Sequence, residues 1–288
     1  MSATLDPVKV EDLGSIEVRE RYARDGVLYV PQALHPEWLM LIEMGLQRVL
    51  MNSGQMKHKF FEDTPGEFIE TVRNFEVTPE IQRLAYDSPV ADMISTLIDS
   101  EQIWLYSDEF FIKEGSGCER TPWHQDLPYW PLNGQQIGSV WISLDPVPQS
   151  ECLELVRGSH RGTMYDGFDP SKVNVDPTAP YYDSELPPLP DIQAERDQWD
   201  IVAADITPGD VVIFHPGVIH GGGPTKQVDR RRAITVRCYG DDVVYVKRPD
   251  SRPTVPLTPG LSLALNPGDP LRHPYYPRLR PLPEHQRV

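Results

Sequence analysis

His124 and Asp126 stand one residue apart in Thr121-Pro122-Trp123-His124-Gln125-Asp126, inside a stretch crowded with aromatic residues and prolines. Imidazole and carboxylate both bind divalent metals. On an extended strand, residues i and i+2 point to one face, so this pair can converge on a single ion. A third ligand has to come from elsewhere, and the candidates are His160, His215 and His220. The last follows an apolar run and precedes Gly221-Gly222-Gly223, where a chain can turn tightly at the mouth of a site. Two histidines and one carboxylate on one face of a metal leave three positions open, the arrangement that suits a non-haem Fe(II) oxygenase. A His-x-Asp alone is ordinarily a strand-edge hydrogen bond, so the rest of the chain must support the metal reading.

The elements that must hold these residues are mixed, with β dominant. The 30 prolines are roughly twice the usual share, which favours extended segments and turns over a helical bundle. Residues 9–55 read as an α-rich entry: a helix stopped at Asp25-Gly26, a short strand at 27–30, and a helix from Pro36 to Met51. Residues 52–77 are weakly patterned and read as a surface loop or lid. Two further helices open at Thr78-Pro79-Glu80 and Ser88-Pro89-Val90. From Ile103 the period shortens to two, with strands expected at 103–113, 138–145, 152–156, 211–215 and 233–239. Residues 163–200 read as a long insertion, another lid candidate, and the tail from 247 as a Pro-rich wrap around the body. A β-sandwich or barrel with a helical cover fits this order.

Composition bounds the partners. A net charge of −16 argues against nucleic acid or an anionic membrane surface, so an anionic ligand would need a local basic pocket. The cysteines at 118, 152 and 238 are widely spaced and read as reduced thiols rather than a disulfide or zinc framework. The start, Met1-Ser2-Ala3-Thr4-Leu5-Asp6, has neither a basic nor an apolar run, so no signal peptide is expected. No stretch approaches the roughly 18 apolar residues of a membrane span, and the cytoplasm is the default location.

The ordered set Thr121-Pro122-Trp123-His124-Gln125-Asp126, Val140-Trp141-Ile142-Ser143-Leu144, Val156-Arg157-Gly158-Ser159-His160, Gly209-Asp210-Val211-Val212-Ile213-Phe214-His215 through His220-Gly221, and Arg231-Arg232-Ala233-Ile234 resembles the phytanoyl-CoA dioxygenase (PhyH) family of Fe(II)/2-oxoglutarate-dependent oxygenases. The resemblance covers about 105–245. It implies an α+β, mainly β fold: a double-stranded β-helix (jelly-roll, cupin-like) core with N-terminal helices packed on one sheet. One domain is then expected over 1–288, with a helical cover over about 1–100, the core over about 101–245 and a Pro-rich tail over about 246–288. His124, Asp126 and His220 would bind iron, and Arg231 would grip the far carboxylate of 2-oxoglutarate through its rigid fork. Arg230 and Arg232 are the alternatives. Trp141, Lys113 and Tyr106 are candidate cosubstrate contacts, weighed against plain core or strand-surface roles, and Tyr129 and Trp130 candidate substrate contacts. His215 and His160 read as packed or turn residues. Many members carry a hydroxyl residue where Gly222 stands, so one cosubstrate contact is expected to be missing or replaced by water. The turn Val156-Arg157-Gly158 also departs from the form common in the family.

What the resemblance implies chemically is hydroxylation of an unactivated C–H in a small, partly apolar metabolite. 2-Oxoglutarate and O2 are the cosubstrates, succinate and CO2 the co-products, and ascorbate a reductant that helps keep the iron ferrous. An aspartate at position 126 favours hydroxylation, desaturation or ring closure over halogenation, which in related enzymes accompanies a small residue there. An acyl-CoA substrate fits the acidic chain less well. Readings from other classes are a non-catalytic metal- or ligand-binding jelly roll, a cupin isomerase and a zinc hydrolase.

Overall fold

Alternation along the strands gives each one an inward and an outward row of side chains, and the fold is the closure of those rows into two packed sheets. A computed structural model describes residues 2–52, 57–60, 66–115, 117–168, 186–226, 229–248 and 258–283. The strands are β1 (Ala3–Thr4), β2 (Val27–Val30), β3 (Lys57–Phe60), β4 (Glu67–Val72), β5 (Ile103–Glu114), β6 (Leu132–Asn133), β7 (Ile137–Ser143), β8 (Leu153–Val156), β9 (Ile201–Ala203), β10 (Val211–Phe214), β11 (His220–Gly222), β12 (Arg230–Tyr239), β13 (Val244–Tyr245) and β14 (Arg278–Arg280). The large sheet runs β2-β10-β7-β12-β5-β4-β3, with β14 also pairing with β5. The small sheet runs β1-β9-β8-β11, and β6 pairs with β13. Between the two sheets lie Trp141, Val212, Phe214 and Ala233 from one side and Leu153, Leu155 and Val202 from the other.

The helices α1 (Ile16–Asp25), α2 (Pro36–Met51), α3 (Pro79–Asp87) and α4 (Val90–Ile98) precede the core in sequence, and a short α5 (Leu261–Ala264) follows it. The first four cover the outer face of the large sheet. Ile42, Leu46, Leu84 and Ile94 pack there against Phe110, Ile112, Ile142 and Ile234. Ser15 accepts the Val18 N–H to start α1, and Gly26 ends it at φ 71°, a left-handed turn that glycine adopts without strain. No helix among the described residues is long and apolar enough to cross a membrane.

Three expectations change. The surface loop or lid read at 52–77 contains the β3–β4 hairpin, which extends the large sheet beyond β5; residues 53–56 and 61–65 lie outside the described residues. The cross-strand pair Phe60–Phe68, with ring centroids 4.9 Å apart, and the edge of β5 order a segment whose own pattern is weak. The first hundred residues are more than a helical cover, because β1 joins the small sheet and β2 the large one. The tail does not only wrap the body: β14 pairs with the start of β5, and Tyr276 stacks on Tyr106. Residues 249–257 and 284–288 lie outside the described residues.

Candidate metal and cosubstrate site

The segment carrying His124 runs antiparallel to β11, so two ligands reach a third 96 residues later through the backbone itself. His124 N donates to His220 O at 2.9 Å and His220 N to His124 O at 2.8 Å. In each ring Nδ1 lies against a carbonyl, Pro122 O at 2.8 Å for His124 and Val218 O at 2.9 Å for His220. A carbonyl only accepts, so Nδ1 carries the proton and Nε2 presents a lone pair. Both Nε2 atoms face Asp126 Oδ1, at 3.4 and 3.7 Å. Two lone pairs opposite a carboxylate oxygen repel one another unless a cation stands between them. The donor atoms of all three residues lie within 4.8 Å of one another, a set that fits a divalent metal.

The electrostatics keep this set ready for a metal. Burial pushes His220 down to about 4, helped by the charge of His124, so it stays a neutral ligand. Burial alone would raise the Asp126 carboxyl, but Arg237 and the two histidines outweigh it and hold the group well below the usual carboxylate range. Arg237 Nε faces Asp126 Oδ2 at 3.5 Å, on the side away from the histidines, and Arg237 Nη1 binds Glu109 at 2.5 Å.

The triad opens on a cavity of about 120 Å3, far above the roughly 10–15 Å3 that admits one water. Its large-sheet wall is made of cross-strand rows. Arg231 on β12 stands opposite Lys113 on β5, which stands opposite Phe68 on β4. One row on, Ala233, Phe111 and Glu70 are in register, and the next holds Trp141, Thr235 and Glu109.

Arg231 and Lys113 make one end basic. Burial lowers the pKa of both, and each is pushed further from its charged form by nearby cations. Lys113 Nζ donates to the carbonyls of Glu119 and, at 3.1 Å, of Gly223, while Arg231 Nη1 donates to Glu151 O. Gly222 is what lets Arg231 in. A Cβ there would sit 2.9 Å from Arg231 Nη2 and 3.0 Å from Thr121 Oγ1. Thr121 of the neighbouring segment places a hydroxyl beside Gly222, and its N–H donates to Gly222 O at 2.9 Å.

Residues 22–233 match the profile of the phytanoyl-CoA dioxygenase (PhyH) family. The chain belongs to that family. A probable phytanoyl-CoA dioxygenase of Caenorhabditis elegans is 24% identical over 186 residues, spanning 61% of this chain and 55% of that protein. A probable alpha-ketoglutarate-dependent hypophosphite dioxygenase of Stutzerimonas stutzeri is 26% identical over 61% of this chain and 60% of its own length. The chain thus spans little more than half of these curated relatives. The epimerase SnoN, solved with Fe3+, alpha-ketoglutarate and nogalamycin RO, shares the fold at a TM-score of 0.70 and 20% identity, covering 94% of this chain and 98% of that one.

Within the PhyH chain, the structure brings His124, Asp126, His220, Arg231, Trp141, Tyr129 and Trp130 to one cavity. Lys113 and Tyr106 are not among the residues lining it. Lys113 lies one strand behind Arg231, its ammonium 4.6 Å over the Phe68 ring. Tyr106 packs beneath Trp130, ring centroids 4.5 Å apart, in the aromatic cluster that also holds Tyr276. Arg230 and Arg232 face the other side of β12. Arg232 binds Asp145, at 2.9 Å from Nη2, and Glu43 of α2, while Arg230 is exposed and reaches only Asp145, at 3.4 Å. His215 accepts the Gly217 N–H at 3.1 Å and packs against His160, both away from the metal ligands.

The cavity also holds Thr121, which stands in the first motif without an assigned role, and four residues outside the motifs: Glu70, Glu109, Arg237 and Phe168. Glu109 and Arg237 carried a signal, each being a charge in the interior of a strand with inward phase. Phe168, at the start of the 163–200 insertion, sets its ring edge-on to His124 at 5.4 Å, and its carbonyl accepts Tyr129 Oη at 2.8 Å. Of that lid candidate, 169–185 lie outside the described residues.

Proposed function

We propose that the chain is an Fe(II)- and 2-oxoglutarate-dependent dioxygenase that hydroxylates a C–H bond of a small, partly apolar metabolite. The observation that carries this reading is the buried, inward-facing Arg231 sharing one cavity with two Nε2 lone pairs and the Asp126 carboxylate. His124, Asp126 and His220 would hold the iron. When bound, Fe(II) with 2-oxoglutarate and O2 supplies an oxidant able to remove hydrogen from an unactivated C–H, leaving succinate and CO2.

The protein's own residues bind, orient and exclude water. Arg231 offers its fork to the far carboxylate of the cosubstrate, with Thr121 as a hydroxyl donor beside it and Trp141 closing the wall. Lys113, fixed by two carbonyls, stands as a further donor group behind Arg231 without occupying the cavity. The walls toward the substrate are aromatic, which favours an apolar body and keeps water from the reacting carbon.

Adding Fe(II) and 2-oxoglutarate to the apoprotein without oxygen tests this. A weak visible charge-transfer band is expected, absent in Asp126→Ala, and succinate should form once air and a substrate are supplied. Tightly bound zinc with no band on iron addition would overturn the reading.

A further inference from the structure

Resting on that reading, we infer that the substrate carries a protonated amine, which the Glu70 carboxylate receives between aromatic walls at the end of the cavity away from Arg231. Glu70 sits on β4 directly opposite Phe111 of β5, keeps part of its surface open, and lines the same cavity as the triad. Among the described residues no donor hydrogen-bonds its carboxylate. The neighbouring charge that acts on it most strongly is the like charge of Glu109, which outweighs the opposing effect of Arg237. Arg237, the cation that could compensate it, is committed to Glu109 at 2.5 Å and to Asp126 at 3.5 Å, with its guanidinium over Trp130 at 5.3 Å. His58, across from Glu70 on β3, lays its ring on Phe60 at 4.3 Å.

A carboxylate drawn out of bulk water without a donor is costly, and burial together with Glu109 pushes Glu70 up to about 8. A cation brought by a ligand removes both penalties. Phe60 and Phe111 line the same part of the wall, and aromatic faces attract an ammonium ion while accepting the apolar body that carries it. A bound divalent metal does not supply this charge, because the negative charges of Asp126 and the cosubstrate dianion together exceed its own two positive ones. A neutral hydroxyl would give Glu70 a hydrogen bond but no positive charge against Glu109, and an anionic substrate would add a further like charge.

Calorimetry with three matched probes decides the matter: phenethylamine, 2-phenylethanol and phenylacetate, titrated without oxygen into the protein loaded with Fe(II) and 2-oxoglutarate. The amine should bind about tenfold more tightly than either isostere, and Glu70→Gln should reduce that preference to within about twofold. The charge-transfer band of the variant should stay that of the parent, and its Tm should not fall below it. The inference fails if the alcohol binds as well as the amine, if the preference survives in Glu70→Gln, or if the amine does not bind at millimolar concentration. An intact band with no amine preference removes this inference alone, whereas loss of the band in the parent removes the underlying reading.

Discussion

The two ends of the cavity are built from the same three strands, β12, β5 and β4, yet they carry opposite charge. At one end Arg231 and Lys113 face each other across a strand pair; at the other Glu70 and Glu109 are close neighbours. Like charges placed together cost stability in the ligand-free chain. Both ends are therefore waiting for a counter-charge from outside, a dianionic cosubstrate at the first and a cation at the second. Arg237, six residues along β12 from Arg231, pairs with Glu109 and with Asp126 and ties the acidic end to the metal ligands.

The strongest way to break this division is to remove the cation that Glu109 and Asp126 share. Arg237→Met leaves both carboxylates buried without it, and a destabilisation of about 3–5 kcal/mol is expected in urea unfolding, with weakened iron binding. A variant as stable as the parent would show that the shared ion pair carries no weight.

Emptying the basic end comes next. Arg231→Ala should weaken 2-oxoglutarate binding, read from the charge-transfer titration, by roughly 100-fold, the worth of two charge-assisted hydrogen bonds. Arg230→Ala should stay within about twofold, since its side chain is exposed and on the other face. Equal losses in both would contradict the strand phase.

A finer probe of the same end is Thr121→Val. Loss of one neutral donor should raise the 2-oxoglutarate dissociation constant about fivefold and leave iron affinity unchanged. No change would mean that the hydroxyl beside Gly222 is not used.

The smallest effect lies outside the cavity and checks that pH sensitivity is not all assigned to it. Burial holds His215 down to about 3, so the unfolded chain takes up a proton that the native chain refuses. Its contribution to stability is fully present above the ordinary histidine value of about 6.5 and is lost as pH falls from there toward 3. His215→Asn keeps an acceptor for the Gly217 N–H and should flatten the acid limb of a Tm-against-pH profile of the apoprotein.

The two ends were also unequally legible. The metal ligands and Arg231 could be read because a local spacing and an ordered set of short motifs carry them. The choice of Arg231 over Arg230 and Arg232 depended on strand phase, which three consecutive arginines leave undetermined until the register with β5 and β7 is known. Glu70 was illegible for a different reason. Its segment has little pattern of its own and becomes a strand only by pairing with β5, so its inward direction is a tertiary fact. The helices and strands around the core were read closely, as with Pro36–Met51 and Val211–Phe214, because capping and alternation are local.

The strand β12 has a consequence for anyone altering this protein. Its even-numbered start anchors α2 through Arg232 and Glu43, while Arg231, Ala233, Thr235 and Arg237 face the cavity from the opposite side. Parity along one ten-residue strand thus separates the face that holds α2 from the face that lines the cavity. A combinatorial library confined to positions 233 and 235 would explore selectivity, whereas a single inserted residue would invert every assignment at once.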